Sequence, residues 1–173
     1  FYRDDYVQNG LAGMVQKAYI GSAEEKYGII MTATVKGLAR ALINQYLEAP
    51  TALSIADNGH FGGSPMLSLV LAYDTMADSG YLTDKEKADI EAALVFGARV
   101  LAHPDYWNTD KALCSANPNM TSMLRLPLGL LALYLDGHRE AAKWLVAAET
   151  ELQRELKEDW IAPGGAWLEC PFY

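Results

Sequence analysis

The run LAYDTMADSGYLTDKE, residues 71–86, sets the architecture of this chain. Its first half completes an apolar helical pattern over residues 65–79, which starts with a proline and ends at Gly80, the usual order of helix start and stop signals. The residues Thr83-Asp84-Lys85-Glu86 then have the spacing of a capping box, which satisfies free N–H groups at a helix start. The run therefore predicts a helix, a short turn and a second helix that folds back beside the first.

Apolar residues recur at helical spacing on both sides of this hairpin. We predict further helices over residues 5–20 and 23–48, a helix from the capping box to just before Pro104, one closed by Asp136-Gly137, and one from Ala141. The predicted apolar stripes are Tyr27, Ile30, Thr34, Leu38 and Leu42; Ile90, Leu94, Ala98 and Leu101; Met120, Leu124, Leu128, Leu131 and Leu135; and Ala141, Leu145, Ala148, Leu152 and Leu156. Since no run alternates as a strand does, the sequence predicts an all-α protein of antiparallel helix hairpins.

The composition bounds the class of protein. The 173 residues suit a single domain, and 51% hydrophobic residues can form a sizeable core. A net charge of −8 argues against nucleic acid or an anionic membrane as the partner, and also against a polyanionic substrate unless positive potential is concentrated in a cleft. The two cysteines, Cys114 and Cys170, fit no metal motif, so no metal site is predicted, and a disulfide and free thiols both stay open.

Two long connections, residues 49–64 and 104–118, are rich in Gly, Asn, Asp, His and aromatic residues. Long loops on a rigid scaffold are where function concentrates. Trp107 is a candidate platform for stacking a sugar, with plain packing as the alternative interpretation. His60, within the glycine-rich DNGHFGG, is a candidate substrate contact or general base, although a loop histidine without a visible partner is more often incidental.

A helix start at Asn117-Pro118-Asn119 provides a site for a carboxylate. Asn117 suits the N-cap position and Pro118 the first helical position. Asn119 then lies in the first turn, where free N–H groups and the helix dipole create positive potential. Its amide could hold a carboxylate there without a cationic residue. Alternatively, both asparagines act only as helix-start residues.

The closing run GGAWLECPFY, residues 164–173, combines a flexible glycine pair with three aromatic residues. Trp167, Phe172 and Tyr173 could line a sugar-binding cleft by stacking. Tyr173 could also transfer protons if its neighbours lowered its pKa. The alternative is that these aromatic residues fill the helical core.

Three of these stretches, in this order, resemble segments of the heparinase II/III-like and alginate lyase families. LAYDTMADSGYLTDKE resembles their "AYD…DSG.LT..E" helix hairpin, Asn119 before a leucine-rich helix resembles their asparagine-bearing helix, and GGAWLECPFY is similar to their "GGW.EG..Y" segment. The likeness covers roughly residues 66–173. Its most specific feature is the order of the motifs, with Asn119 and Tyr173 54 positions apart.

The resemblance implies a fold and an activity. In these families an (α/α) toroid precedes β-sandwich domains, and the enzymes cleave uronic-acid polysaccharides by β-elimination. Asn119 would neutralise the uronate carboxylate and Tyr173 would transfer protons, while Trp167 and Glu169 would support the tyrosine loop. The expected substrate contacts are His60, Trp107, Trp167 and Met120.

The same resemblance implies the setting. The elimination needs no cofactor, and a structural metal would belong to other domains of the polypeptide. The expected partners are an anionic polysaccharide and C-terminal β-sandwich domains, and the expected location is periplasmic or secreted. Because the chain begins at Phe1 and stops at Tyr173, we expect a segment of a longer protein that is inactive when isolated.

Two positions depart from the family pattern. Met120 stands where histidine is common, and a thioether does not serve in proton transfer. Cys170 replaces the glycine that follows the motif's glutamate. The missing histidine favours syn elimination through Tyr173 alone, with recruitment of His60 as the alternative.

Two other classes of function remain open. A glycoside hydrolase on the same architecture would need a pair of carboxylates flanking the scissile bond, for which Asp57 and Asp105 are the candidates. A non-catalytic homologue would hold glycans without cleaving them, in agreement with the replacement at Met120.

Overall fold

The computed structural model describes residues 2–48, 50, 65–103 and 118–158. These residues form an all-α structure, which confirms the predicted fold class. Its helices are α1 (Tyr2–Ser22), α2 (Glu25–Glu48), α3 (Pro65–Met76), α4 (Asp84–Leu101), α5 (Pro118–Tyr134) and α6 (Ala141–Glu158). Among the residues described, no helix has the length and apolar character needed to cross a membrane.

Short connections join the helices into three hairpins, α1–α2, α3–α4 and α5–α6, whose members pack together. Successive hairpins lie side by side. Lys36 of α2 pairs with Glu86 of α4, and further along the same helices the rings of Tyr46 and Phe96 meet edge to face at 5.0 Å. Both contacts advance in the same direction, so α2 and α4 run parallel.

The odd-numbered helices form a second layer. The Gln16 amide of α1 donates to the Leu71 carbonyl of α3 at 3.1 Å and to the Thr75 hydroxyl at 2.7 Å. The helix α3 packs against α1, α2, α4 and α5. Each of the first two hairpins therefore adds one helix to each of two layers, an arrangement typical of proteins built from repeated helix pairs.

The turn between α1 and α2 and the turn between α3 and α4 meet at one end, which we name the short-turn end. The Tyr81 ring lies edge to face with Tyr19 at 6.2 Å and packs on Gly28, where a Cβ atom would lie 2.5 Å from the ring. Since α2 and α4 both start here, Glu48 and Leu101 end them at the opposite end, named the long-connection end.

The capping box of α4 is present as predicted. The Thr83 hydroxyl accepts from the Glu86 N–H at 3.3 Å, and the Glu86 carboxylate accepts from the Thr83 N–H at 3.0 Å. Gly80 adopts a φ of 78°, which favours glycine. The helix α3 ends at Met76 rather than at residue 79, because the Ser79 N–H turns back to the Met76 carbonyl at 3.1 Å.

The buried faces agree with the predicted stripes in part. On α4 the four predicted residues are all buried, and on α5 Leu128 and Leu131 are buried. The stripe predicted for α2 is wrong at its start, because Ile30 is 44% exposed and Thr34 half-buried. The buried residues there are Gly28, Met31, Val35, Leu38, Ala39 and Leu42. On this face the Tyr81 ring packs on Gly28.

The helix α6 also departs from its predicted stripe. Ala141 and Ala148 are buried as expected, but the main buried side chain is Trp144, which is 3% exposed. Leu156 is 51% exposed, so this position is wrong. The core of the molecule lies between the two helix layers and includes Tyr73, Met66, Leu94 and Leu131, all of them fully buried.

Candidate functional site

The structure describes the backbone at only two of the predicted site residues. Asn119 and Met120 lie in the first turn of α5, which begins at Pro118 as predicted. The remaining predictions lie outside the described residues and stay predictions. They concern His60, Trp107, Trp167, Glu169 and Tyr173, the alternative pair Asp57 and Asp105, and the cysteines Cys114 and Cys170.

The described helix ends show where the two long connections start and finish. The connection 49–64, which carries His60, runs between the end of α2 and the start of α3. The connection that carries Trp107 leaves from the end of α4 and enters the start of α5. Because α2 and α4 run parallel, both connections leave from the long-connection end.

A cleft lies away from the long-connection end, between α3, α4 and the α5–α6 turn. Its volume is about 660 Å³. We name it the acidic cleft, because its charged residues are Asp74, Asp78 and Glu91 against a single lysine, Lys87. It is lined by Tyr73, Asp74, Ala77, Asp78, Lys87, Glu91, Val95, Tyr134, Leu135, Gly137 and His138.

Two tyrosines connect the walls of the acidic cleft. The buried Tyr73 donates its hydroxyl hydrogen to the Glu91 carboxylate at 2.9 Å, and its ring meets Tyr134 at 5.7 Å. Burial, followed by the hydrogen bond to Glu91 and its charge, raises the pKa of Tyr73. Burial raises the pKa of Tyr134 as well, with contributions from nearby carboxylates. Both phenols are therefore neutral donors rather than bases.

The α5–α6 turn forms the far wall of the acidic cleft. The His138 ring stacks on the buried Trp144 with centroids 4.9 Å apart and planes 11° apart. Its Nδ1 accepts the Glu140 N–H at 3.2 Å, and Arg99 of α4 bonds the Glu140 carboxylate at 2.8 Å. These contacts hold the turn against α4 and fix the shape of the cleft.

The acidic cleft is not suited to a uronate. Its three carboxylates outnumber its lysine, so an anionic sugar meets repulsion there. Asn119 is also remote from it, since Tyr134 ends α5 about 22 Å further along the helix axis at 1.5 Å per residue. The cleft and the predicted uronate site are therefore separate.

Sequence reasoning missed the acidic cleft. Asp74 and Asp78 lie in the hairpin motif, four positions apart on one helical side, which was the available signal. Glu91 and Tyr134 come from other helices, and no local pattern brings them to Tyr73.

A second groove, of about 470 Å³, lies between α2 and α4. Its floor includes Ile43 and Ile90, and its rims carry Lys36 and Glu86, which form an ion pair. The Lys36 ammonium, together with the N–H and hydroxyl of Thr83, lowers the pKa of Glu86 to about 2. This ion pair joins α2 to α4 across the groove, whose lining also includes Arg40 and Asp89.

Metal binding has no candidate in the part of the chain that the structure describes, where no group of three or more His, Cys, Asp or Glu residues could hold an ion.

Comparisons with protein-family models, curated proteins and solved structures found no match for this chain.

Proposed function

We propose that this chain forms part of the (α/α) toroid of a polysaccharide lyase that cleaves a uronic-acid-containing polysaccharide by β-elimination. The main observation in support is that Asn119 lies in the first turn of α5, within a stack of helix hairpins. The order of the three motifs supports the same proposal. The side-by-side hairpins of the two helix layers are compatible with part of a toroid.

The proposed chemistry begins at the carboxylate of the sugar. The C5 proton of a uronate is too weakly acidic to be removed unaided. Dipoles fixed at the carboxylate stabilise the enolate-like charge that develops, and such stabilisation is usually the largest catalytic contribution. The Asn119 amide, with the free N–H groups of the first turn of α5, would supply those dipoles.

Tyr173 is the proposed proton-transfer residue. It would take the C5 proton and then protonate the departing O4 when both groups lie on one face of the ring, which is syn elimination. Met120 offers no proton, so a second base on the opposite face is not proposed. We assign substrate contacts to His60, Trp107, Trp167 and Met120, and support of the tyrosine loop to Glu169.

The distribution of charge bears on the side from which the polysaccharide approaches. A net charge of −8 repels a polyanion in general. The acidic cleft, near the short-turn end of α3, adds local repulsion. The start of α5 provides local positive potential without a basic patch. We therefore propose that the polysaccharide approaches the long connections.

Other parts of the proposal rest on the resemblance. The elimination would proceed without a cofactor, with β-sandwich domains of the same polypeptide completing the cleft. The location would be periplasmic or secreted.

The experiment is a screen of the protein that carries this segment against alginate, heparan and chondroitin, monitored by the ultraviolet absorbance of the unsaturated product. Asn119→Ala should lose activity, and Asn44→Ala, an exposed asparagine of α2, is the matched control. A loss confined to Asn119→Ala would support the assignment, and equal activity of both variants would contradict it.

The same screen separates the other classes of function. Cleavage that yields reducing ends without ultraviolet absorbance would indicate a hydrolase, with Asp57 and Asp105 to be tested next. Saturable glycan binding without any product would indicate a non-catalytic homologue. Either outcome would overturn the lyase proposal.

A further inference from the structure

One side of α2 is exposed along almost the whole length of the helix. The buried residues of α2, from Gly28 to Leu42, lie on the opposite side. At about 100° per residue, seven residues lie within about 40° of the line along the helix through Gly37. They form what we name the outer α2 face: Lys26, Ile30, Ala33, Gly37, Ala41, Asn44 and Glu48, all exposed except Ala41, which is half-buried.

The centre of the outer α2 face carries only small side chains. Ala33 and Ala41 lie about one turn before and after Gly37. A Cβ atom added at Gly37 would meet no atom within 4 Å among the described residues. Small side chains at a contact allow two helix axes to approach closely. The centre of this face can therefore receive a second helix at short distance.

Large apolar side chains are exposed towards both ends of the same helix. Ile29 and Ile30 near its start are 56% and 44% exposed, and Leu47 near its end is 72% exposed. Ile29 and Leu47 lie on the same flank of the outer α2 face, about 12 Å and about 15 Å from Gly37 in opposite directions. A two-fold axis at Gly37 keeps corresponding flanks together. In an antiparallel pair of α2 helices, Ile29 of each copy therefore lies beside Leu47 of the other.

The two ends of the outer α2 face carry opposite charges. Lys26 and Glu48 lie 11 residues before and 11 residues after Gly37. The same antiparallel arrangement therefore brings Lys26 of each copy to Glu48 of the other and forms two ion pairs between the copies. A parallel arrangement would instead place like charges together. Charge and apolar surface thus favour the same pairing.

Both charged residues are available for this exchange. Glu48 forms no hydrogen bond or ion pair with any residue that the structure describes. Lys26 pairs with Glu24 at 2.7 Å, but both side chains are more than half exposed. Because exposed ion pairs contribute little to stability, Lys26 can change its partner at small cost.

We propose that the outer α2 face is the contact of a homodimer, in which α2 packs antiparallel to α2 of a second copy with Gly37 at the two-fold axis. The match between the two halves of the face favours a second copy over an unrelated partner. A single helix face about 33 Å long is at the small end of specific interfaces, so the dimer should dissociate in the micromolar range. The contact uses no residue of the proposed uronate site.

The test is sedimentation equilibrium of the protein that carries this segment, across the micromolar concentration range. We expect a reversible monomer–dimer equilibrium. Lys26→Glu and Glu48→Lys each replace both ion pairs with like charges and should raise the dissociation constant about tenfold. The double variant Lys26→Glu/Glu48→Lys restores both pairs with their charges exchanged, and it should regain the original constant.

The matched control is Lys143→Glu, which makes the same change of charge at an exposed lysine of α6 and should leave the constant unchanged. Gly37→Lys places two ammonium groups at the axis and should abolish the dimer. All these positions are exposed, and circular dichroism will verify that each variant folds.

Three results would overturn the proposal. The first is a protein that stays monomeric at every concentration. The second is a dimer that the single charge reversals do not weaken, or that Lys143→Glu weakens equally, since other surfaces would then hold it together. The third is a double variant whose dimer is no tighter than that of Lys26→Glu or Glu48→Lys alone, because the two charges would then not meet across the contact.

Discussion

At the short-turn end Tyr81 packs on Gly28 and Thr83 caps α4, whereas at the long-connection end α2 and α4 stop at Glu48 and Leu101 and long connections follow. At the first end, the contacts of Tyr81 with Gly28 and Tyr19 hold the two turns together. The second joins helices through connections that are rich in Gly, Asn, His and aromatic residues. The comparison indicates that contacts at the short-turn end stabilise the stack, whereas the other end carries the connections in which His60 and Trp107 lie.

The first test compares two tyrosines, one assigned to proton transfer in the proposed function and one at the short-turn end. Under the proposed function, Tyr173→Phe should reduce lyase activity by about 10²- to 10⁴-fold, the range of general acid–base catalysis. Tyr19→Phe, at the short-turn end, removes the same hydroxyl from a ring that packs on Tyr81 and should leave activity unchanged. Initial rates from product absorbance measure both, and similar rates for the two variants would contradict the role of Tyr173.

The two ends also differ in how far the sequence predicts them. The start of α4 and its four predicted buried residues were predicted correctly, because the capping box and the apolar stripe are both local signals. The face of α2 was predicted correctly at Leu38 and Leu42 but one residue away at its start, where the buried Gly28 packs on Tyr81, which lies far along the chain. Local periodicity cannot contain such a contact.

The candidate sites also differ in whether local sequence signals predict them. The start of α5 at Pro118, and hence the position of Asn119 in the first turn, follows from neighbouring residues and was predicted. The acidic cleft requires Tyr73, Glu91 and Tyr134 from three different helices, and its formation depends on their packing. The proposed role of Tyr173 rests on the resemblance between motifs and stays a prediction.

A pair of glycines tests the packing at the short-turn end. Gly28→Ala places a Cβ atom 2.5 Å from the Tyr81 ring, so the ring must shift, at a cost of about 1–3 kcal/mol typical of overpacking. Gly37→Ala, also within α2, meets no atom within 4 Å among the described residues and should stabilise the protein by roughly 0.5–1 kcal/mol.

Urea unfolding of these two variants gives the free energies. Opposite signs are expected, because the two substitutions share the helix propensity gain and differ in the contact with Tyr81. If Gly28→Ala were as stabilising as Gly37→Ala, the turns would not be closely packed, and the distinction between the two ends would be lost.

Acid should loosen the short-turn end through Glu86, whose carboxylate caps α4 and pairs with Lys36. The pKa of Glu86 is lowered from 4.5 to about 2, so the folded state holds the proton less tightly than the unfolded state. The stabilisation that the Glu86 carboxylate provides is therefore complete above pH 4.5 and is lost as the pH falls towards 2.

Glu86→Gln keeps a capping acceptor but removes the charge, so the urea midpoint of the unchanged protein should exceed that of the variant above pH 4.5 and approach it towards pH 2. In a Lys36→Gln background this difference should shrink, because the ion pair is its main cause. Amide exchange should accelerate in the first turn of α4 and not in its last. A midpoint difference that stays constant across this pH range would show that the Glu86 charge does not join the two helices at this end.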